Sequence, residues 1–207
     1  LEVTHQIMAD TNIITSCGGI IVRASTAERI ADESYNHGDA ISAAELSVGD
    51  DYYYLIFDDS ALEFSDALTS KVGMYINTGL AATYNTVSEM ASGCDLDNDT
   101  LERVIDDYNA AVRGEKADTF GRTDFYGELT GPYYVMKVSN GVVMTSGGLK
   151  VDDHSHVIDT NGDAIEGLYA TGEVTGGLMR VYIAGASLSE CGISGMLLGR
   201  QLSGNID

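Results

Sequence analysis

The sequence changes character at its sole proline, Pro132, and that change limits the folds open to it. Upstream, apolar residues recur at helical spacing between a few strand-like runs. Downstream, short alternating segments follow one another, broken by glycine and by Asn161-Gly162. The pattern predicts an α+β chain in two regions, with a β-rich second region that ends in one long helix.

Upstream, Cys17 to Arg23 (CGGIIVR) reads as a buried strand and Ala24 to Arg29 as its exposed turn. Gly38 to Leu46 is a short helix candidate. Tyr52 to Phe57 (YYYLIF) is the strongest strand signal, closed by Asp58-Asp59, and a helix follows over Ser60 to Thr69. Thr86 and Glu89 form a T-x-x-E box that opens a helix ended by Gly93. Asp99 and Glu102 repeat that signal. Leu101, Val104, Ile105, Tyr108 and Val112 then continue as a helical stripe, stopped by Gly114. Lys116 to Gly131 is polar and irregular, and carries Phe120, Arg122 and Phe125.

Downstream, strands are expected at Tyr133 to Val138, Val142 to Thr145, Leu149 to Val151 and Val157 to Asp159. Asn161-Gly162 is a hairpin turn signal, because both residues tolerate positive φ. Ile165 to Thr171 leads into a glycine-rich segment, Gly172 to Gly177. The final helix is expected over Ala186 to Leu202. Its glycines, Gly192, Gly195 and Gly199, each cost about 1 kcal/mol against alanine and suggest close backbone approach to a neighbour.

Composition excludes several functions. Acidic residues number 32 against 11 basic ones, giving a net charge of −21. Phosphate contacts need clustered Lys and Arg, so a nucleic-acid partner is not expected, and an anionic membrane surface would repel the chain. No apolar stretch reaches the roughly 18 residues of a membrane span. The expectation is a soluble protein, with cytoplasm and export both open. The three cysteines, Cys17, Cys94 and Cys191, form no CxxC pair, so neither a zinc ribbon nor a disulfide scaffold is suggested.

The chemistry concentrates between Thr145 and Leu188: T-S-G-G-L, then I-E-G-L-Y-A-T-G-E-V-T-G-G, then A-G-A-S-L. A strand delivers the chain to a glycine-rich bend that holds one carboxylate, Glu173. A helix then begins near Ser187, and its first N–H groups can hold an anionic or electron-rich group. A carboxylate beside such a bend can bind vicinal hydroxyls, as on a ribose or ribityl chain. Together they suggest a nucleotide-type cofactor with a reducible ring. A solvated Glu173, with glycines that only permit tight packing, is the other reading.

GLYATGEVTGG resembles the C-terminal part of the fumarate reductase and succinate dehydrogenase type of FAD-dependent oxidoreductases. YYYLIFDDS, LERVIDDYNAAVRG, DTFGR, GPYYVMKV and TSGGL stand in the family's order. The resemblance runs from Gly18 to Leu202. It implies FAD, a capping domain over 1–140, and the C-terminal part of the FAD-binding domain over 141–207. No G-x-G-x-x-G opens the chain, so the resemblance implies a dinucleotide-binding N-terminal half lying elsewhere. It also implies FAD contacts from Glu173, Gly185, Ala186, Ser187 and Leu188, where helix N–H groups stabilise negative charge on the reduced ring.

The chain departs from the family where a dicarboxylate would be held. The family's acid arginine falls at or beside His37, its substrate histidine at Val143 or Met144, and its later arginine near Tyr182, with Arg180 two residues away. Loss of these cations speaks for an unsaturated carbonyl substrate, an enone or enoate rather than fumarate. Related flavoproteins acting on 3-ketosteroids place a tyrosine after a similar glycine segment. Tyr182 would then donate to the carbonyl oxygen and His37 would supply the proton. Thr11, Arg180 and Arg122 are further substrate candidates, although a structural ion pair explains Arg122 equally well. His154 and His156 lie on one side of an extended segment, as a metal pair would, but a solvated loop is the preferred reading and no metal is expected. The electron donor is left open. The alternative of another class is a non-catalytic cap or binding module, or one half of a split flavoprotein that holds no flavin alone.

Overall fold

The computed structural model describes residues 14–34, 44–63, 65–139, 147–176 and 186–204. The chain divides into two units, Leu1–Gly141 and Val142–Asp207. The first is built on an antiparallel sheet of β1 (Ile20–Arg23), β2 (Tyr53–Phe57), β3 (Ala81–Tyr84) and β4 (Tyr133–Val138), in the order β1-β2-β4-β3. Ile56 lies opposite both Ile20 of β1 and Val135 of β4, so β2 is central.

All five residues of β2 are buried. Alternation would leave one face polar if that face met water; here helices cover both faces, which is why the strand reads as a continuous apolar run. One face, with Tyr53, Leu55, Phe57 and Met136, packs against α1 (Asp59–Leu62) and α2 (Asp66–Asn77) through Ala61, Leu68, Val72 and Tyr75. The other face, with Tyr54, Ile56 and Val135, packs against α3 (Val87–Cys94) and α4 (Asn98–Val112) through Met90, Leu101, Ile105 and Tyr108.

Several helices differ from those the sequence predicts. The helix expected over Ser60 to Thr69 is two helices, because Ser65 restarts the chain in an extended conformation. The N-cap of α4 is Asp97, whose side chain accepts from the Thr100 N–H, and not Asp99, which sits in the first turn. At α3 the Thr86 hydroxyl accepts from Glu89 N–H as expected, while the Glu89 carboxylate accepts from Asn85 N–H. That helix ends at Asp95 in the left-handed region (φ 57°) and not at Gly93. Gly93 is instead where the Tyr84 ring packs, 2.5 Å from where a Cβ would stand.

In the second unit, β5 (His156–Ile158) and β6 (Ala164–Tyr169) form a hairpin. Its turn is closed by Gly162 N–H on the Asp159 carbonyl and by the Asp159 carboxylate, which accepts from Asn161 and Asp163 N–H. Leu149 to Val151 is no strand; Leu149 and Val151 make single bridges to Thr175 and Val157. The strand expected at Val142 to Thr145 lies outside the described residues. The last helix, α5, spans Ala186–Leu202 with the bounds read from the sequence, and none of its residues is buried.

Candidate functional site

β6 carries the chain to Thr171, where a 3-10 turn, Gly172–Val174, holds Glu173. Gly172 has φ +78°, and a Cβ on it would stand 3.1 Å from Cys191 Sγ of α5, so both the turn and the close approach require glycine. Thr171 Oγ1 donates to Ser194 Oγ, which donates to the Glu190 carbonyl at 2.7 Å, and the turn is thereby tied to α5. On its other side the turn pairs with the T-S-G-G-L segment. Leu149 N–H donates to the Val174 carbonyl at 2.8 Å and Gly176 N–H to the Leu149 carbonyl at 3.0 Å. Gly148 and Gly176 meet backbone to backbone there; a side chain on either would collide.

Two motifs far apart in sequence thus become neighbours, with α5 packed against the turn between them. Glu173 is exposed, Ala186 and Ser187 are half-buried, and Leu188 is 79% exposed. In any α-helix the first-turn N–H groups point out of the N-terminal end, so the opening of α5 has the polarity that suits an electron-rich group. The carboxylate on a glycine turn and a helix opening from the same unit match the donor and acceptor set that a flavin nucleotide needs. Gly185, Arg180 and Tyr182 lie outside the described residues, as do Thr11 and His37.

Arg122 is described, and it is not a substrate ligand in this arrangement. It is 2% exposed. Its Nε donates to the Asp124 carbonyl, NH1 to the Gly19 carbonyl and Glu33 Oε2, and NH2 to the Thr15 carbonyl at 2.7 Å. Glu33, wholly buried, also accepts from Ile21 N–H and from the Arg29 guanidinium. Arg29 bridges to Asp118, whose carboxylate accepts from Phe120 and Arg122 N–H. Tyr108 and Phe125 lie against the Arg122 guanidinium, and Tyr108 and Phe120 against Arg29.

Burial opposes the charge of both Arg29 and Asp118. At Arg29 the Glu33 carboxylate, and after it Asp118, outweigh burial and raise the arginine; at Asp118 the Arg29 guanidinium, with the Phe120 and Arg122 N–H groups, outweighs it and holds the carboxyl below its ordinary range. Burial pushes the Tyr108 phenol up to about 12, so it stays neutral among these charges. Sequence reasoning singled out Arg122 but missed Arg29, Glu33 and Asp118. No local signal marks ionic partners 89 residues apart.

At the His154–His156 turn the Asp152 carboxylate accepts from the His154 and His156 N–H groups. His156 Nδ1 faces Asp152 at 3.0 Å, its ring lies tilted against Tyr169, and no cluster of three metal-ligating side chains exists among the described residues. No helix among the described residues is long and apolar enough to cross a membrane.

Comparison with known proteins identifies the class of the chain that carries this turn and helix. The chain belongs to the FAD binding domain family, whose model matches residues 5–189. It is 31% identical over 193 residues to the fumarate reductase (cytochrome) of Shewanella frigidimarina, covering 92% of this chain and 33% of that protein. It is 28% identical over 208 residues to the 4-oxocyclohexanecarboxylate 2-dehydrogenase of Sinomonas cyclohexanicum, covering 86% and 35%. Among solved structures, the open conformation of a flavocytochrome c3 fumarate reductase superimposes with a TM-score of 0.77 at 26% identity, over 94% of this chain and 34% of that one. The chain spans about a third of the length of the curated relatives it matches. FAD is the cofactor of this family.

Proposed function

We propose that this chain supplies the capping domain (1–140) and the C-terminal cofactor-facing part (141–207) of an FAD-dependent oxidoreductase. Its reaction reduces, or introduces, a C=C bond conjugated to a carbonyl, and an enone or enoate is a better substrate than fumarate. The dinucleotide-binding part completes the enzyme, on the same chain or a separate one. The observation that carries the reading is the exposed Glu173 on a glycine turn fastened to α5, within a chain that the family model matches over most of its length.

FAD supplies the hydride exchange. The protein's own groups bind and orient. Glu173 accepts from vicinal hydroxyls of the cofactor; Ser187 and the first-turn N–H groups of α5, with Gly185, Ala186 and Leu188, meet the electron-rich ring edge. Tyr182 donates to the substrate carbonyl oxygen, where charge develops as carbon is reduced, and His37 delivers the proton to the α-carbon. Thr11 and Arg180 hold the remainder of the substrate.

Charge supports the substrate class. Among the described residues of the first unit, Arg23, Arg29, Arg103, Arg113, Lys116 and Arg122 each sit against a carboxylate of the same chain. A dianion entering a chain of net charge −21 would find those cations already engaged. The relative acting on a cyclohexanone carboxylate is compatible with a carbonyl as the recognised group.

The test is stopped-flow reoxidation of the reduced flavin, with FAD and the dinucleotide-binding part supplied. An enone or aryl enoate should reoxidise it rapidly and fumarate poorly; efficient fumarate turnover overturns the substrate assignment. Tyr182→Phe removes one preorganised donor and should slow the chemical step about 10²- to 10³-fold with flavin affinity unchanged. An unchanged rate would remove Tyr182 from the chemistry and make Arg180 the better candidate. Failure to bind FAD under these conditions would instead favour a non-catalytic module.

A further inference from the structure

The buried charges of the first unit do more than fill its interior. Arg122 reaches the Thr15 and Gly19 carbonyls with one fork of its guanidinium and the Glu33 carboxylate with the same NH1. Glu33 returns to the 14–23 segment through Ile21 N–H at 3.1 Å, and Arg29 ties residues 28–34 to Asp118 at the head of the 118–125 loop. Three pieces of chain therefore meet at four side chains; 14–23 and 28–34 also share a single antiparallel bridge, Val22 to Arg29, while the 118–125 loop is held to both by these side chains. Their formal charges cancel, and their exposures are near zero: 0% for the Arg122 and Glu33 side chains, 6% for Arg29 and 1% for Asp118.

From this geometry we infer that Arg122 and Glu33 are positioning residues for catalysis, a clamp that fixes both chain segments from which the substrate-facing groups extend. The inference rests on the proposed function: Thr11 stands four residues before Thr15, and His37 four residues after Glu33. A guanidinium suits the task because its planar fork meets two carbonyls and a carboxylate at fixed angles, whereas lysine offers a single point of charge. Glu33 suits it because one carboxylate accepts from a backbone N–H and two arginines at once. A displacement of about 1 Å at a reacting group can slow a reaction about 100-fold, so a clamp remote from the chemistry registers in rate.

The experiment uses three variants of the flavin-loaded protein, with an aryl enone as oxidant. Arg122→Lys and Glu33→Gln break the clamp. Asn109→Ala serves as the control, because Asn109 is likewise buried and both hydrogen bonds of its side-chain amide go to Leu129. The expected result is a fall in kcat of about 10- to 100-fold in the two clamp variants, with the flavin spectrum retained, against a near-unchanged kcat in the control at a temperature where all three are folded. Equal effects in all three, or none in the clamp variants, would overturn the inference. Amide exchange on the same proteins gives a reading that needs no turnover: both clamp variants should speed exchange in 14–23 and 28–34 together. Loosening confined to 120–125 would also overturn it. Absence of any enone-dependent reoxidation in the unmodified protein would sink the proposed function, and exchange would still decide whether the clamp exists.

Discussion

Single side chains in this protein are set by what surrounds them, and Glu45 shows the sign of that control. It is 7% exposed, and burial alone raises its carboxyl to about 7 from an ordinary value of 4.5. Below the ordinary value both folded and unfolded chains hold the proton, and this group's contribution is fully present. As pH rises toward about 7 the unfolded chain releases the proton while the folded chain keeps it, so stability is lost. The slope is at most ~1.4 kcal/mol per pH unit. Denaturant midpoints should fall between pH 5 and about 7 in the parent and fall less in Glu45→Gln; parallel curves would show that Glu45 is not the titrating group. The residue scale is also where sequence reading fell shortest. Glu173 and Ser187 stand in motifs and could be named, but Arg122 could be placed only between substrate and ion pair. What decided it was Thr15, Gly19 and Glu33, 89 or more positions away.

At the scale of elements, legibility followed locality. α4 announced itself through its stripe of Leu101, Val104, Ile105 and Tyr108, and β2 through an unbroken apolar run. The strand β3, Ala81–Tyr84, gave no such sign; it exists because β4 offers it an edge, and Ala82 pairs with Val135. The cap of α4 shows a subtler failure: Asp97 and Asp99 both suit an N-cap, and only the backbone at Asp97, with φ −67° and ψ 118°, shows which one is outside the helix. Glycines divide in the same way. Around Gly199 nothing lies within 4 Å of a Cβ, so Gly199→Ala should stabilise the chain by up to ~1 kcal/mol through helix propensity alone. At Gly93 the Tyr84 ring must move, and Gly93→Ala should cost about 1–3 kcal/mol. Chemical denaturation of the two variants checks both signs; a loss at Gly199 would mean that its face is already covered in solution.

For the molecule as a whole, the balance of charge and apolar surface governs behaviour. A net charge of −21 repels itself, and salt that shortens the screening length from about 10 Å at 0.1 M to about 3 Å at 1 M should relieve that strain. The thermal midpoint should therefore rise with sodium chloride over this range; a fall would point to ion pairs such as Arg23–Asp50 as the larger electrostatic contribution. The two units meet this repulsion unequally. The first has a sheet covered on both faces, while among the described residues of the second only Val157 and Ala170 are buried apolar side chains. α5 turns Leu188, Ile193, Met196, Leu197 and Leu202 outward. Accessible apolar runs of this kind are what cellular quality control selects, so a copy whose α5 stays uncovered is a client for chaperones and proteases, and its lifetime in the cell becomes a measure of how completely that helix is covered.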